Sequence, residues 1–167
     1  MTRFLHPGCW IDAFAPADGA PPDRLVPFFA WCLRGSFPVL LIAGAFSAAV
    51  GTLEVISAFV LGRIIDTALA AGPESFFTAH TGLIVFAVAF FVLIRPVMFG
   101  LSAASNGIAV QPNVNPLVLS RLHRWTMGQS VTFFDNDFAG RIAQKQMQTS
   151  RAVTDVVSEI INVVFFA

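Results

Sequence analysis

The sequence predicts an all-α integral membrane chain: a short surface helix, two full membrane-spanning helices with long cytoplasmic extensions, a turn at their tip and the start of a third span. Three observations carry that prediction. Only 12% of the 167 residues are charged and 56% are hydrophobic, against about 25% and 45–50% in average soluble domains. Two uncharged stretches match the thickness of a bilayer. A charged region with helical spacing follows the second of them, at residues 121–159.

Twenty charges spread over 167 residues would leave large apolar patches facing water, a difficulty that lipid removes. Ten basic and ten acidic residues cancel, so the strongly basic footprint of a nucleic-acid binder is missing. Cys9 and Cys32 have no CxxC or Cys/His spacing and read as small apolar residues rather than a disulfide or zinc site. His6, His80 and His123 stand alone, with no second ligand at i+3 or i+4. No Gly-x-Ser-x-Gly nucleophile element occurs.

Residues 1–22 carry Pro7, Gly8 and Asp12 where a signal peptide would need an unbroken apolar run, and are expected to form a flexible cytosolic tail. Residues 23–34 are too short to span and are bracketed by Arg24 and Arg34; they read as an interfacial helix with Trp31 at headgroup level, or as the ragged start of the first span. Gly35 to Leu53 gives 19 uncharged residues, about 28 Å of helix, and its continuation extends the first span to about 36–61. Pro38 falls in the first turn, where a missing N–H is harmless. Gly72-Pro73 marks a turn. The second span follows at about 75–98, opening with 20 uncharged residues up to Arg95-Pro96.

The stretch after Pro96 is also uncharged, yet Asn106, Gln111, Asn113 and Asn115 with Pro112 and Pro116 are costly against lipid. It is therefore expected to leave the membrane as an extension to about residue 129, broken or kinked at 111–116. Residues 132–140 form an aromatic and acidic turn. A third helix begins at Arg141, with apolar residues at threes and fours and an expected Arg151–Asp155 pair. Its apolar end, Ile160 to Ala167, is too short to cross, so the chain is expected to break off inside a third span.

Arg3, Arg24 and Arg34 precede the first span, Arg63 alone lies near the connection, and Arg121, Arg124, Arg141, Lys145 and Arg151 follow the second span. By the positive-inside rule the N-terminus and the 121–151 hairpin face the cytoplasm of a multi-pass plasma (inner) membrane protein. Arg95 is left near the inner end of the second span, where it must snorkel or face protein or water. Glu54 and Arg63 either line a substrate path or are water-exposed charges at the outer end of a long helix.

The segment Ser130-Val131-Thr132-Phe133-Phe134-Asp135-Asn136-Asp137-Phe138-Ala139-Gly140-Arg141-Ile142-Ala143 resembles the first intracellular loop of ABC exporters, ATP-driven transporters whose helices extend into the cytoplasm. The resemblance covers nearly the whole chain in order. It implies an elbow helix at 23–34, spans at 36–61 and 75–98, a coupling-helix turn at 132–140 and a truncated third helix, together forming part of a transmembrane domain (23–167). It also implies that the turn docks on a nucleotide-binding domain and that a second transmembrane half, identical or different, completes the unit.

Within that resemblance the coupling residues are Phe133, Phe134, Asp135, Phe138, Gly140 and Arg141. Asp135 would cap a short helix, the phenylalanines would anchor a small interface, and Gly140 would permit the reversal. On residue types alone the phenylalanines serve equally well to pack the hairpin's own helices. No Gly-x-x-x-x-Gly-Lys-Ser/Thr occurs and Lys145 is the sole lysine, so ATP and magnesium are expected on the nucleotide-binding domain and no cofactor on this chain. A fragment of this kind is expected to be inactive alone. The alternative is a small self-contained membrane scaffold or assembly protein.

Overall fold

The computed structural model describes residues 10–135 and 139–164, and among them every regular element is helical. Helix α1 (Leu25–Leu33) leads through Gly35, at φ 90°, into α2 (Phe37–Ala79). Gly72 interrupts α2 with φ 72° and ψ 165°, a conformation that glycine alone adopts without strain. The chain reverses there and around His80. Helices α3 (Thr81–Ala89), α4 (Arg95–Ala104) and α5 (Gln111–Met127) are joined by π turns at Phe90–Ile94 and Ser105–Val110 into one helical run of 47 residues. A short helix α6 (Val131–Asp135) precedes α7 (Ala139–Glu159), which ends in a third π turn, Ile160–Val164.

Two of these runs, Phe37–Ala70 and Thr81–Met127, are long and apolar enough to cross a membrane. Within their most apolar windows only 22% and 11% of residues are buried, unlike the core helix of a soluble domain. The expected break at 111–116 does not occur. Helix runs through both prolines, and the distortion falls one turn earlier, in the π turn 105–110. That turn ends just before Pro112, which therefore sits at the start of α5, where a missing N–H does least harm; Pro116 lies inside the helix.

The interior gathers at the end of this hairpin that carries α1 and α7. Trp31, Cys32 and Leu33 of α1 pack with Val110, Val114, Leu117, Val118 and Leu122 from the second long run and with Val153, Val157 and Ile161 of the third. Beside that apolar stripe α7 buries Ser150, Thr154 and Ser158; such small side chains let helices approach closely. Of the N-terminal segment expected to be loose, residues 1–9 lie outside the described residues. Over residues 10–18 it is pinned, with Ile11 only 2% exposed and three of its carbonyls accepting hydrogen bonds from other elements. Trp31 is likewise buried rather than at an interface, its indole N–H donating to the Asp18 carbonyl at 3.2 Å. Arg151 and Asp155 are both exposed and form no ion pair among the described residues. An exposed i,i+4 pair is worth only about 0.3–0.5 kcal/mol, too little to hold two long side chains together.

Candidate functional site

The turn between α5 and α7 is built in steps. α5 closes at Gly128, whose N–H reaches the Arg124 and Trp125 carbonyls at 3.3 and 3.2 Å. Ser130 then starts α6: its carbonyl accepts the Phe133 N–H at 3.0 Å, and its hydroxyl lies 2.8 Å from that of Thr132. Asp135 is thus the last residue of α6 and does not precede it as a cap would; the helix starts earlier, where the Ser130 carbonyl takes the Phe133 N–H. Gly140 belongs to the first turn of α7 and has no positive φ, so the reversal does not use its freedom. Phe138, with Asn136 and Asp137, lies outside the described residues. Arg141 is exposed on the first turn of α7.

The aromatic rings form a short chain. Phe133 meets Trp125 edge to face at 6.3 Å and Phe134 in the same way at 5.4 Å, geometries in which ring edges meet the negative π face. Phe133 and Phe134 each remain 36% exposed, and Val131 and Met127 are more open at 77% and 67%. Phe133 therefore does both things that its type allowed: one side packs the hairpin and the rest joins an apolar surface at the tip. Behind that surface Gln146 of α7 donates to the Thr126 hydroxyl at 2.7 Å, and that hydroxyl donates to the Leu122 carbonyl at 2.9 Å. The tip is tied to both long helices.

A residue that sequence reasoning placed only in a charge count holds this hairpin to the rest of the chain. Arg121 is 3% exposed. Its guanidinium donates to the carbonyls of Trp31 (2.8 Å), Cys32 (2.9 Å), Arg34 (2.7 Å) and Ala15 (3.1 Å). Three of these belong to the end of α1, where the last carbonyls of any helix lack partners and carry partial negative charge. An arginine stays charged at neutral pH, so these are charge-assisted bonds. Burial pushes the Cys32 thiol up to about 11, against a smaller opposing pull from Arg121; it is an inert packing residue. The signal available in the sequence was a lone arginine on the buried stripe Val114–Val118–Leu122.

Three ionisable side chains of the two long runs, Glu54, Arg63 and Arg95, find partners. Arg95 donates to Glu54 Oε1 at 2.6 Å, joining the two long runs, and its guanidinium lies over Phe91 and Phe99 at 6.0 and 5.6 Å. Arg63 lies over Phe59 of its own helix at 5.7 Å. Among the described residues no cluster of three His, Cys, Asp or Glu side chains is placed to hold a metal.

No protein-family model matches the chain, and no solved structure matches it. A curated relative does: an uncharacterized ABC transporter ATP-binding protein of Haemophilus influenzae, 26% identical over 154 residues. The chain is similar to an ABC transporter protein. The match takes in 91% of the chain but only 25% of that relative, so the chain spans about a quarter of its length.

Proposed function

We propose that the chain is the N-terminal part of the membrane domain of an ABC exporter, and that the tip formed by Phe133, Phe134 and their neighbours carries nucleotide-domain closure into the membrane helices. The observation that carries this reading is an exposed apolar tip at the end of a helical pair that is internally bonded and clamped through Arg121 to the N-terminal elements. A push on such a tip moves α5, α7 and α1 together, because their shared interior is close-packed and transmits displacement. The similarity to an ABC transporter protein supports the same reading. In it, α2 and the 81–127 run cross the membrane, the N-terminus and the tip lie in the cytoplasm, Gly72 lies outside, and ATP with magnesium is held by the partner domain. A second transmembrane half completes the translocation path.

The test is contact and coupling at the tip. A photo-crosslinking amino acid at position 134 is expected to trap the nucleotide-binding domain in membranes. In the complete transporter Phe134→Ala is expected to lower transport per ATP hydrolysed by roughly tenfold, the effect of losing one anchor of about 1.4 kcal/mol, with nucleotide affinity retained. A tip that crosslinks only to lipid or to extracellular reagents would sink the proposal and favour a free-standing membrane scaffold.

A further inference from the structure

The N-terminal segment leans on α5, and between them lies an open cavity of about 400 Å³. Pro116, Leu119 and His123 line it from one face of α5, three and four residues apart, with Ser120 and Arg124 beside that row. Phe14 closes it from the N-terminal side. Both neighbours of Phe14 are held by α5: the Ser120 hydroxyl donates to the Ala13 carbonyl at 2.8 Å and Arg121 Nε to the Ala15 carbonyl at 3.1 Å. The Phe14 N–H itself donates to Asp12 Oδ1 at 3.0 Å. Three successive residues are thus tied down, yet the ring they carry is 67% exposed.

The cavity is polarised along the helix. Pro116 and Leu119 form the end nearer the apolar part of the 81–127 run, and His123 and Arg124 form the other end. Both of these last side chains are exposed, and among the described residues no carboxylate pairs with Arg124. Asp12 is turned to the Phe14 N–H and Asp18 pairs with Arg34 at 3.6 Å. The height of the cavity is set by Arg121, whose guanidinium reaches the Cys32 and Arg34 carbonyls just before α2 begins at Phe37. In the membrane placement proposed above α2 enters the bilayer there. His123 and Arg124 then stand at headgroup level, about 3–5 Å beyond Arg121, while Pro116 lies about 8 Å to the bilayer side of it.

We propose that this cavity holds one anionic phospholipid of the cytoplasmic leaflet, its phosphate against Arg124 and His123 and its acyl chain over Leu119, Pro116 and Phe14. A guanidinium takes a phosphate through paired N–H groups, a neutral imidazole still has one N–H to give, and basic pockets on the cytoplasmic side of membrane helices suit anionic headgroups. A zwitterionic lipid brings a cation of its own to the arginine, and a soluble phosphate leaves the apolar end bare. The bound lipid fastens the N-terminal segment and α5 to the membrane surface. The inference rests on the membrane placement proposed above and needs neither the nucleotide-domain contact nor transport.

The test is lipid retention. The chain in dodecyl maltoside is mixed with equal amounts of dioleoyl phosphatidylglycerol and dioleoyl phosphatidylcholine, and the lipid carried into the gas phase is counted by native mass spectrometry. Retention of one phosphatidylglycerol is expected, with a preference of roughly fivefold over phosphatidylcholine, the effect of one basic side chain at a membrane surface. Arg124→Gln is expected to bring the ratio to parity, and Phe14→Ser to lower the amount of lipid retained. Arg151→Gln, which removes the same charge from an exposed position on α7, is expected to keep the preference. Equal retention of the two lipids by the native chain, or an equal loss in Arg151→Gln, would overturn the proposal. Displacement of the lipid by a large excess of glycerol phosphate would also overturn it, leaving a plain phosphate site. Alkaline carbonate extraction separates the two readings: a chain that stays in the membrane without a headgroup preference retires this site alone, and a chain that is released retires the membrane placement itself. A preserved preference with no crosslink at position 134 keeps the site and retires the coupling role of the tip.

Discussion

The two ends of the hairpin are built on opposite terms. At the junction of α1, α5 and α7 a dense interior surrounds Val114, Leu117 and Val118, each at most 1% exposed, and a buried guanidinium satisfies four carbonyls. In the distal part, from Leu53 to Ile94, only Val60, Ala87 and Phe90 are buried among the described side chains, while Val55, Phe59, Ile65, Val85, Val92 and Leu93 are at least half exposed. The Glu54–Arg95 pair crosses that part. The difference teaches where each region finds its solvent. The junction excludes water by packing against itself, as a soluble domain does, whereas the distal part has no interior of its own and depends, in the proposed setting, on lipid and neighbouring helices to cover it.

Removing the clamp should break the junction most severely. Arg121→Ala strands carbonyls of α1 and of residue 15, and each buried acceptor left unpaired costs about 1–3 kcal/mol. The expected result is a large drop in melting temperature in detergent, with faster amide exchange across residues 12–34. Arg121→Lys should recover only part, since an ammonium cannot fork to four acceptors. If Arg121→Ala melts like the parent, the junction is held by packing alone.

In the distal part the corresponding test is Glu54→Leu, which leaves Arg95 unpaired against Phe91 and Phe99. A lone arginine at membrane depth costs about 2.5–3.5 kcal/mol, reduced where it snorkels, so a loss of about 2 kcal/mol is expected. The double substitution Glu54→Leu with Arg95→Leu should restore stability, as apolar replacement of an ion pair generally does. Failure of that restoration would mean that the pair has a role beyond compensating itself.

Two glycines sharpen the contrast further. Gly72→Ala forces a side chain into φ 72° and ψ 165° and is expected to cost roughly 1–2 kcal/mol. Gly140→Ala, in a helical turn with open space around it, is expected to gain about 0.5–1 kcal/mol. Thermal melts of the two variants should move in opposite directions.

The smallest expected effect is on pH dependence. The Cys32 thiol is held at about 11 in the folded chain, above its free value of about 8.5, so folding favours its neutral form. The stability this gives is complete below pH 8.5 and declines as pH rises toward 11. Maleimide should leave Cys32 unmodified at pH 8 until the junction is opened, by denaturant or by Arg121→Ala.

The all-α character and the two long apolar runs were legible because lipid-length stretches without charge are read residue by residue, and Gly72-Pro73 is a local signal that needs no tertiary context. The aromatic residues of the tip were legible as types. What Phe133 packs against was not, because its partner Trp125 comes from the preceding helix and reaches it only once Gly128 has ended that helix. The Arg121 clamp was invisible for a stronger reason: its partners lie 87 to 106 residues away and are carbonyls, which every residue carries. The prolines at 112 and 116 misled in the opposite direction, since a π turn upstream let the helix absorb them. The Asn106–Asn162 hydrogen bond lay hidden behind the same reading, for residues 105–116 were judged as polar helix leaving the membrane.

Because Arg121 grips main-chain oxygens, the grip is indifferent to which side chains occupy positions 15, 31, 32 and 34. What confines change at Trp31 and Cys32 is their burial in the core, while positions 15 and 34 are free to drift beneath an anchorage that reads only their oxygens.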